Sequence, residues 1–310
     1  MEEKIEIMNL LQSKQVLEHE LQSLAYGSVE IRENESNKYI YVHYREDGVA
    51  LTKYVGEYSD ELYNLVLNNS IKAKQLKKQI REITKKLKQL NYTEEELSEK
   101  VEQNIDFAKR HLVDTIYKQA ILEGVATTFA DTESIIEGGK VNNMTSEDIL
   151  KIVNLKHAWE FILNKNVILS DTNFALLCEI NKMVEEGFYY TAGKVRNTPV
   201  TIGGTTWKPD LPIESVIKEE LEEIFSKELD DIDRAIELLL YTMKKQVFID
   251  GNKRTAVIYS NHYLISKGKG IIAIPAELTE EFKDLLIPYY EGKDEKQIKK
   301  FIKGKCYMNI

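Results

Sequence analysis

Cysteine is scarce in this chain: Cys178 and Cys306 are the only two among 310 residues. They lie far apart and lack metal-ligand spacing, which excludes a disulfide framework and fits a reducing compartment. Five prolines argue against long flexible linkers. No apolar run approaches the length of a membrane span. The acidic N-terminus, MEEKIEIMNLLQSKQ, lacks the basic start and apolar block of a signal peptide. A cytoplasmic location without a membrane partner is therefore expected. Excess basic charge is also missing, since 42 Lys plus Arg against 51 Asp plus Glu give −9, so the whole chain is not a generic nucleic-acid binder. What is present, 43% hydrophobic and 30% charged residues, belongs to a soluble globular protein with a real core. The length suits one large domain or two ordinary ones.

Residues 3–25 carry Ile5, Met8, Leu11, Val16, Leu17, Leu21 and Leu24 at helical spacing. Short alternating runs follow, with Glu46-Asp47-Gly48 as a hairpin turn, and predict a small β-meander at about residues 28–56. Ser59 marks a helix start. From Ile71 to Leu90 there are eight basic residues and one acidic residue, over a narrow stripe of Leu76, Ile80, Ile83, Leu87 and Leu90. That stripe predicts a helical hairpin, with a second helix from Thr93. The basic face is either a solvated surface or, with the aromatic hairpin of Tyr39, Tyr41, Tyr44 and Tyr54, a dock for a nucleic acid or an acidic partner.

Beyond residue 105 helical periodicity dominates, with helices expected at 105–128, 145–163, 171–187, 213–226, 230–244, 251–267, 279–290 and 294–303. Thr145-Ser146-Glu147-Asp148 reads as a helix start. The exception is 191–212, where Gly203-Gly204 between PVTI and TTW predicts a β-hairpin inserted between helices. The expectation is a mainly α protein: a small α+β N-terminal region over 1–105, with helix, β-meander and helical hairpin, then a helical domain over 106–310.

The stretch QVFIDGNKRTA, Gln246 to Ala256, carries the chemistry. Asp250-Gly251-Asn252 is a turn signal, and a helix opens at once with Lys253 and Arg254. First-turn amides lack intrahelical partners and the helix dipole adds positive charge, so an anion fits there. Gly251 permits close main-chain approach, and Asn252 can donate from its side chain. Two cations at a helix N-terminus are unfavourable without a bound anion. Asp250 is a hard oxygen ligand suited to Mg²⁺ between phosphates. The plainer alternative is that Asp250 only caps the helix while the cations face solvent.

QVFIDGNKRTA resembles the signature of the Fic/Doc family, whose pattern runs His-x-Phe-x-Asp/Glu-Gly-Asn-x-Arg. TAGKVRNTPVTIGG resembles the segment carrying that family's β-hairpin flap, and GKGIIAIP with DLLIPYYEGKDEKQIKKFI its C-terminal helices. SIIEGG, Ser134 to Gly139, resembles the inhibitory helix motif of autoinhibited members, here around 125–139. These matches span roughly residues 110–303. The resemblance implies a Fic-type helical core with a β-hairpin flap, binding ATP with Mg²⁺ and transferring AMP to a Ser, Thr or Tyr hydroxyl of a target protein. It implies Phe248 as the loop anchor and Asp250 as the metal ligand. Gly251, Asn252, Lys253 and Arg254 would hold the nucleotide. Glu137, with Ser134, would be the inhibitory pair. Residues 195–207, with Val195, Arg196, Val200, Thr201, Ile202 and Gly203, would be the flap that clamps a target by strand addition.

Three departures qualify this. Gln246 stands where the family has its histidine base, a group that contributes about 10²–10⁴-fold. Lys253 replaces a glycine, and Val257 replaces a second arginine, so Glu137 would pair with Lys253 or Arg254 instead. Without the histidine, a non-catalytic nucleotide-responsive regulator or a toxin–antitoxin-type component is the alternative, and a Doc-like protein kinase a further one. A homodimer stays open.

Overall fold

The computed structural model describes residues 2–34, 37–46, 49–90, 92, 97–142 and 144–310. The chain forms two compact units, Met1–Thr93 and Glu94–Ile310.

In the first unit, α1 (Glu2–Ser23) precedes an antiparallel meander, β1 (Ser28–Asn34), β2 (Asn37–Glu46) and β3 (Val49–Glu57), then the long α2 (Asp60–Gln89). Strand alternation sets the two faces. Ile40 and Val42 turn inward onto Val66, flanked by Val29, Tyr44, Val55 and Leu62. Tyr39, Tyr41 and Tyr54 pack together outside, with centroid separations of 6.1 and 5.4 Å. The expected aromatic cluster thus divides, because Tyr44 falls on the inner parity. Residues 47 and 48 of the expected turn lie outside the described residues, and their neighbours Glu46 and Val49 pair directly. The Ser59 hydroxyl caps α2, accepting from Leu62 N at 3.1 Å. Helix α1 packs along α2. The hairpin start expected at Thr93 also lies outside the described residues, and the next helix begins at Glu99 in the second unit.

The second unit is helical. Its helices are α3 (Glu99–Arg110), α4 (Leu112–Leu122), α5 (Phe129–Ile136), α6 (Ser146–Ile162), α7 (Lys165–Ile168), α8 (Phe174–Val184), α9 (Glu214–Ser226), α10 (Asp231–Lys245), α11 (Asn252–Ser266), α12 (Thr279–Tyr290) and α13 (Glu295–Phe301). A two-residue pair, β4 (Ile271–Ile272) with β5 (Tyr307–Met308), ties its end. The boundary expected at residue 105 falls inside α3. The single helix expected over 105–128 is two pieces, α3 and α4, and stops at Leu122. His111 breaks it first, its Nδ1 hydrogen-bonded to Phe107 O at 2.8 Å. Gly124, at φ +77°, turns the chain after α4. The Thr128 hydroxyl then caps α5, accepting from Asp131 N at 3.1 Å. Thr145 caps α6 in the same way, as the sequence predicts.

Helix α11 is the axis of this unit. It is buried from Arg254 to Ile265 and packs against α3, α6, α8 and α10. A helix buried on every face belongs in a core. Part of its buried polar surface is satisfied internally: the Asn261 amide donates to Ile272 O at 2.8 Å and accepts from Ile272 N at 2.7 Å. Such enclosure fixes where the α11 N-terminus points.

Candidate functional site

Helix α10 ends on Gln246 in the left-handed region, φ 49° and ψ 57°. For a non-glycine residue this costs roughly 1–2 kcal/mol, so something must hold it. Arg196, almost fully buried, does so. Its Nε donates to Gln246 O at 2.6 Å, Nη1 to Thr198 O at 2.8 Å and Nη2 to Asp210 O at 2.6 Å. Its own amide donates to Val247 O at 3.0 Å. One guanidinium therefore fastens both ends of 198–210 to the motif loop.

Phe248 is 1% exposed and anchors that loop. The Asn252 side chain closes it, accepting from Phe248 N at 3.0 Å and donating to Phe248 O at 2.9 Å. Its amide also donates to Gln246 Oε1 at 3.3 Å. The donor expected to meet phosphate is thus spent on the loop. From α8, the Asn181 amide donates to Asp250 O at 3.0 Å and to the Thr255 hydroxyl at 3.1 Å. Gly251 is the α11 N-cap at φ 72°, with no side-chain cap. The first-turn amides are left for an outside acceptor.

The electrostatics differ from the sequence expectation. Arg254 is 3% exposed, and its Nη2 lies 2.8 Å from Glu185 Oε1, itself 2% exposed. Glu123 reaches both cations, 3.4 Å from Lys253 Nζ and 3.7 Å from Arg254 Nε. Glu185 also covers Gly251, where an added Cβ would sit 2.3 Å from Oε1. A carboxylate of the chain itself occupies part of the anion cradle. Burial pushes the Glu185 carboxyl up to about 7, with Asp250 and Glu123 adding to the rise and Arg254 and Lys151 opposing it. Neither Glu123 nor Glu185 carries a sequence signal. Nothing in LEG or VEEGF marks a residue whose partner lies far along the chain.

Glu137 caps the end of α5 and is exposed, with no ion pair to Lys253 or Arg254. Gly138 turns the chain at φ 79°, and Gly139 N donates to the carbonyl of half-buried Ser134 at 2.7 Å. The pairing expected of Glu137 is made by Glu123 and Glu185.

Gln246 turns inward, its Nε2 donating to Met243 O at 2.6 Å. His262 supplies no replacement base. Its ring meets the Thr172 hydroxyl at 2.8 Å and Val167 O at 2.9 Å, and burial lowers its pKa to about 4.

The segment expected to be a β-hairpin contains no strand over 191–212. Arg196 closes it in place of a ladder. Val200 and Ile202 are half-buried while Thr201 and Gly203 are exposed, and Val195 is half-buried at its start. Among the described residues, no main-chain hydrogen bond joins 198–204 to another main-chain group. Its far end is pinned to α12 and the residue after it. Trp207 stacks on Tyr290 at 5.8 Å and 16°, and the Thr205 hydroxyl donates to Glu291 Oε1 at 2.8 Å.

The fit to an anion is direct: Arg254 Nε and Nη1 are buried donors without a hydrogen-bond partner. Asp250 is 52% exposed on its side chain, with Oδ1 accepting from Gly251 N at 2.7 Å. No group of three or more metal-ligating side chains exists among the described residues. Asp250 alone suits Mg²⁺ shared with phosphates, an ion that keeps water and takes one or two carboxylates. No helix among the described residues is long and apolar enough to cross a membrane.

Residues 171–264 match the model of the Fic/DOC family. No curated protein matches the sequence. Among solved structures, a segment of Fic-1 from C. elegans is similar, with TM-score 0.52 and 16% identity over 78% of this chain and 79% of that one. A Fic domain-containing signaling protein from Bacteroides thetaiotaomicron gives 0.51 and 18%, covering 61% and 75%. A Fic family protein from Desulfovibrio desulfuricans G20 gives 0.53 and 13%, covering 68% and 73%. These likenesses establish the mainly α fold.

Proposed function

Taking as premise that the chain carries a Fic/DOC domain at residues 171–264, we propose that it binds ATP at the α11 N-terminus and transfers AMP to a hydroxyl of a target protein. The observation that carries this reading is the uncapped Gly251 turn, with buried unpartnered donors on Arg254 beside it. First-turn amides and Arg254 hold the phosphates. Asp250 would hold Mg²⁺, which neutralises phosphate charge when bound. The open main chain of 198–204 accepts an extended target segment and presents its hydroxyl. That oxygen bonds to the α-phosphorus, the bond from phosphorus to the bridging oxygen of the β-phosphate breaks, and pyrophosphate leaves. Two free cysteines and dependence on ATP support a cytoplasmic setting.

Gln246 cannot accept the hydroxyl proton, which passes to water, so transfer is slow. Glu123 and Glu185, rather than Glu137, restrain this conformation by neutralising Arg254. Incubation of wild type and Gln246→His with ATP labelled on the α- or the γ-phosphate tests the reading. His tolerates the left-handed backbone of that position and should raise α-label transfer by about 10²–10⁴-fold. Transfer of the γ-label would mark a kinase instead. No transfer by either form refutes the reading. The inward Gln246 amide favours one second reading, a nucleotide-responsive regulator without turnover. Calorimetric ATP binding without transfer by either form would identify it.

A further inference from the structure

We propose that the exposed basic stripe of α2 is a sequence-independent docking surface for double-stranded nucleic acid. At 100° per residue, Lys74, Lys77, Lys78, Arg81, Lys85 and Lys88 fall within an arc of about 100° along roughly 21 Å of helix. All are exposed except Lys77, half-buried with its Nζ 4.6 Å above the Tyr26 ring. Apart from the adjacent Lys77 and Lys78, each is three or four residues from the next along the stripe, so these like charges face one another. Glu82 is the sole acid between Ile71 and Leu90, and it stands 4.0 Å from Lys78. Among the described residues, Lys74, Arg81, Lys85 and Lys88 have no carboxylate within ion-pair reach. A chain of net charge −9 thus concentrates uncompensated positive charge on one helix face, which a regular polyanion complements.

The other side of α2 excludes a bilayer as the occupant. Ala73, Leu76 and Leu87 are buried there and Ile80 and Ile83 half-buried; the exposed Leu65, Leu67 and Ile71 precede the stripe, so between Lys74 and Lys88 no apolar face is free to enter lipid. Five of the six cations are lysines, point charges without the planar fork that reads guanine. The surface therefore grips phosphates and ignores sequence.

Fluorescence anisotropy of the full chain with a labelled 24-base-pair duplex, as DNA and as RNA, tests this independently of the nucleotide site. Six phosphate contacts give a log–log salt slope near −5 and about a 10³-fold loss of affinity between 50 and 200 mM salt. The triple variant Lys78→Gln, Arg81→Gln, Lys85→Gln, checked for helicity by circular dichroism, should flatten the slope by about 3. Lys293→Gln, Lys296→Gln, Lys300→Gln, exposed residues at the chain's other end, should leave it unchanged. No duplex binding at about 50 mM salt, or an unaltered slope in the α2 variant, overturns the proposal. So does tighter binding of polyglutamate or phosphatidylserine vesicles than of either duplex.

Discussion

Replacing Glu185 with glutamine should uncouple nucleotide binding from proton uptake. A phosphate reaching Arg254 must approach a carboxylate whose Oε1 lies 2.8 Å from the Arg254 Nη2. Two negative charges about 4 Å apart repel by roughly 4 kcal/mol at an effective dielectric near 20. Protonating a carboxyl with a pKa of about 7 costs only about 1.4 kcal/mol at pH 8. Protonation is the smaller cost, so the nucleotide complex takes up a proton at Glu185. The groups facing that carboxyl are Arg254 from α11, Lys151 from α6, Glu123 beyond α4, and Asp250 from the loop. The sign follows: binding raises an already raised acid further, the complex holds more protons than the free protein, and affinity falls as pH rises through and above 7. The measurement is calorimetry with ATP in EDTA, in two buffers of different ionisation heat, which keeps metal charge out of the balance. Wild type should lose roughly eightfold in affinity between pH 7.5 and 8.5 and take up about 0.9 proton at pH 8. Glu185→Gln keeps the volume and should show neither effect. An equal pH slope in both proteins, or no proton uptake by wild type, refutes the reasoning.

Arg196→Met removes three buried donations to carbonyls at 2.6, 2.8 and 2.6 Å. It should cost about 3–5 kcal/mol in urea denaturation and expose the segment after residue 197 to limited proteolysis. A loss below about 1 kcal/mol would show that the clamp contributes little. Glu137→Gly should leave ATP affinity and transfer within about twofold of wild type, because an exposed, unpaired carboxylate contributes little. A gain of tenfold or more would return the restraint to that residue.

The sequence alone determined the features that depend on neighbours along the chain. The 3.6-residue period placed α6 and α9 to α12 nearly to their observed ends, since each buries one face or, for α11, every face. Alternation placed the meander, and DGNKR announced a helix opening on a glycine turn, because turn and cap preferences are local. The resemblance pointed to the family whose model matches residues 171–264, because the residues of its signature are contiguous. The partners of Arg254 required the folded chain. Glu123 and Glu185 lie 131 and 69 positions before it, and only the packing of α4 and α8 against the core brings their carboxyls to one guanidinium. In the sequence Arg196 is one flap residue among several, until tertiary contacts bury it among three carbonyls, where it replaces the ladder that the Gly203-Gly204 turn had predicted. Charge identity is written in sequence, but the sign and titration of a site depend on which groups burial forces together, and that is a property of the fold.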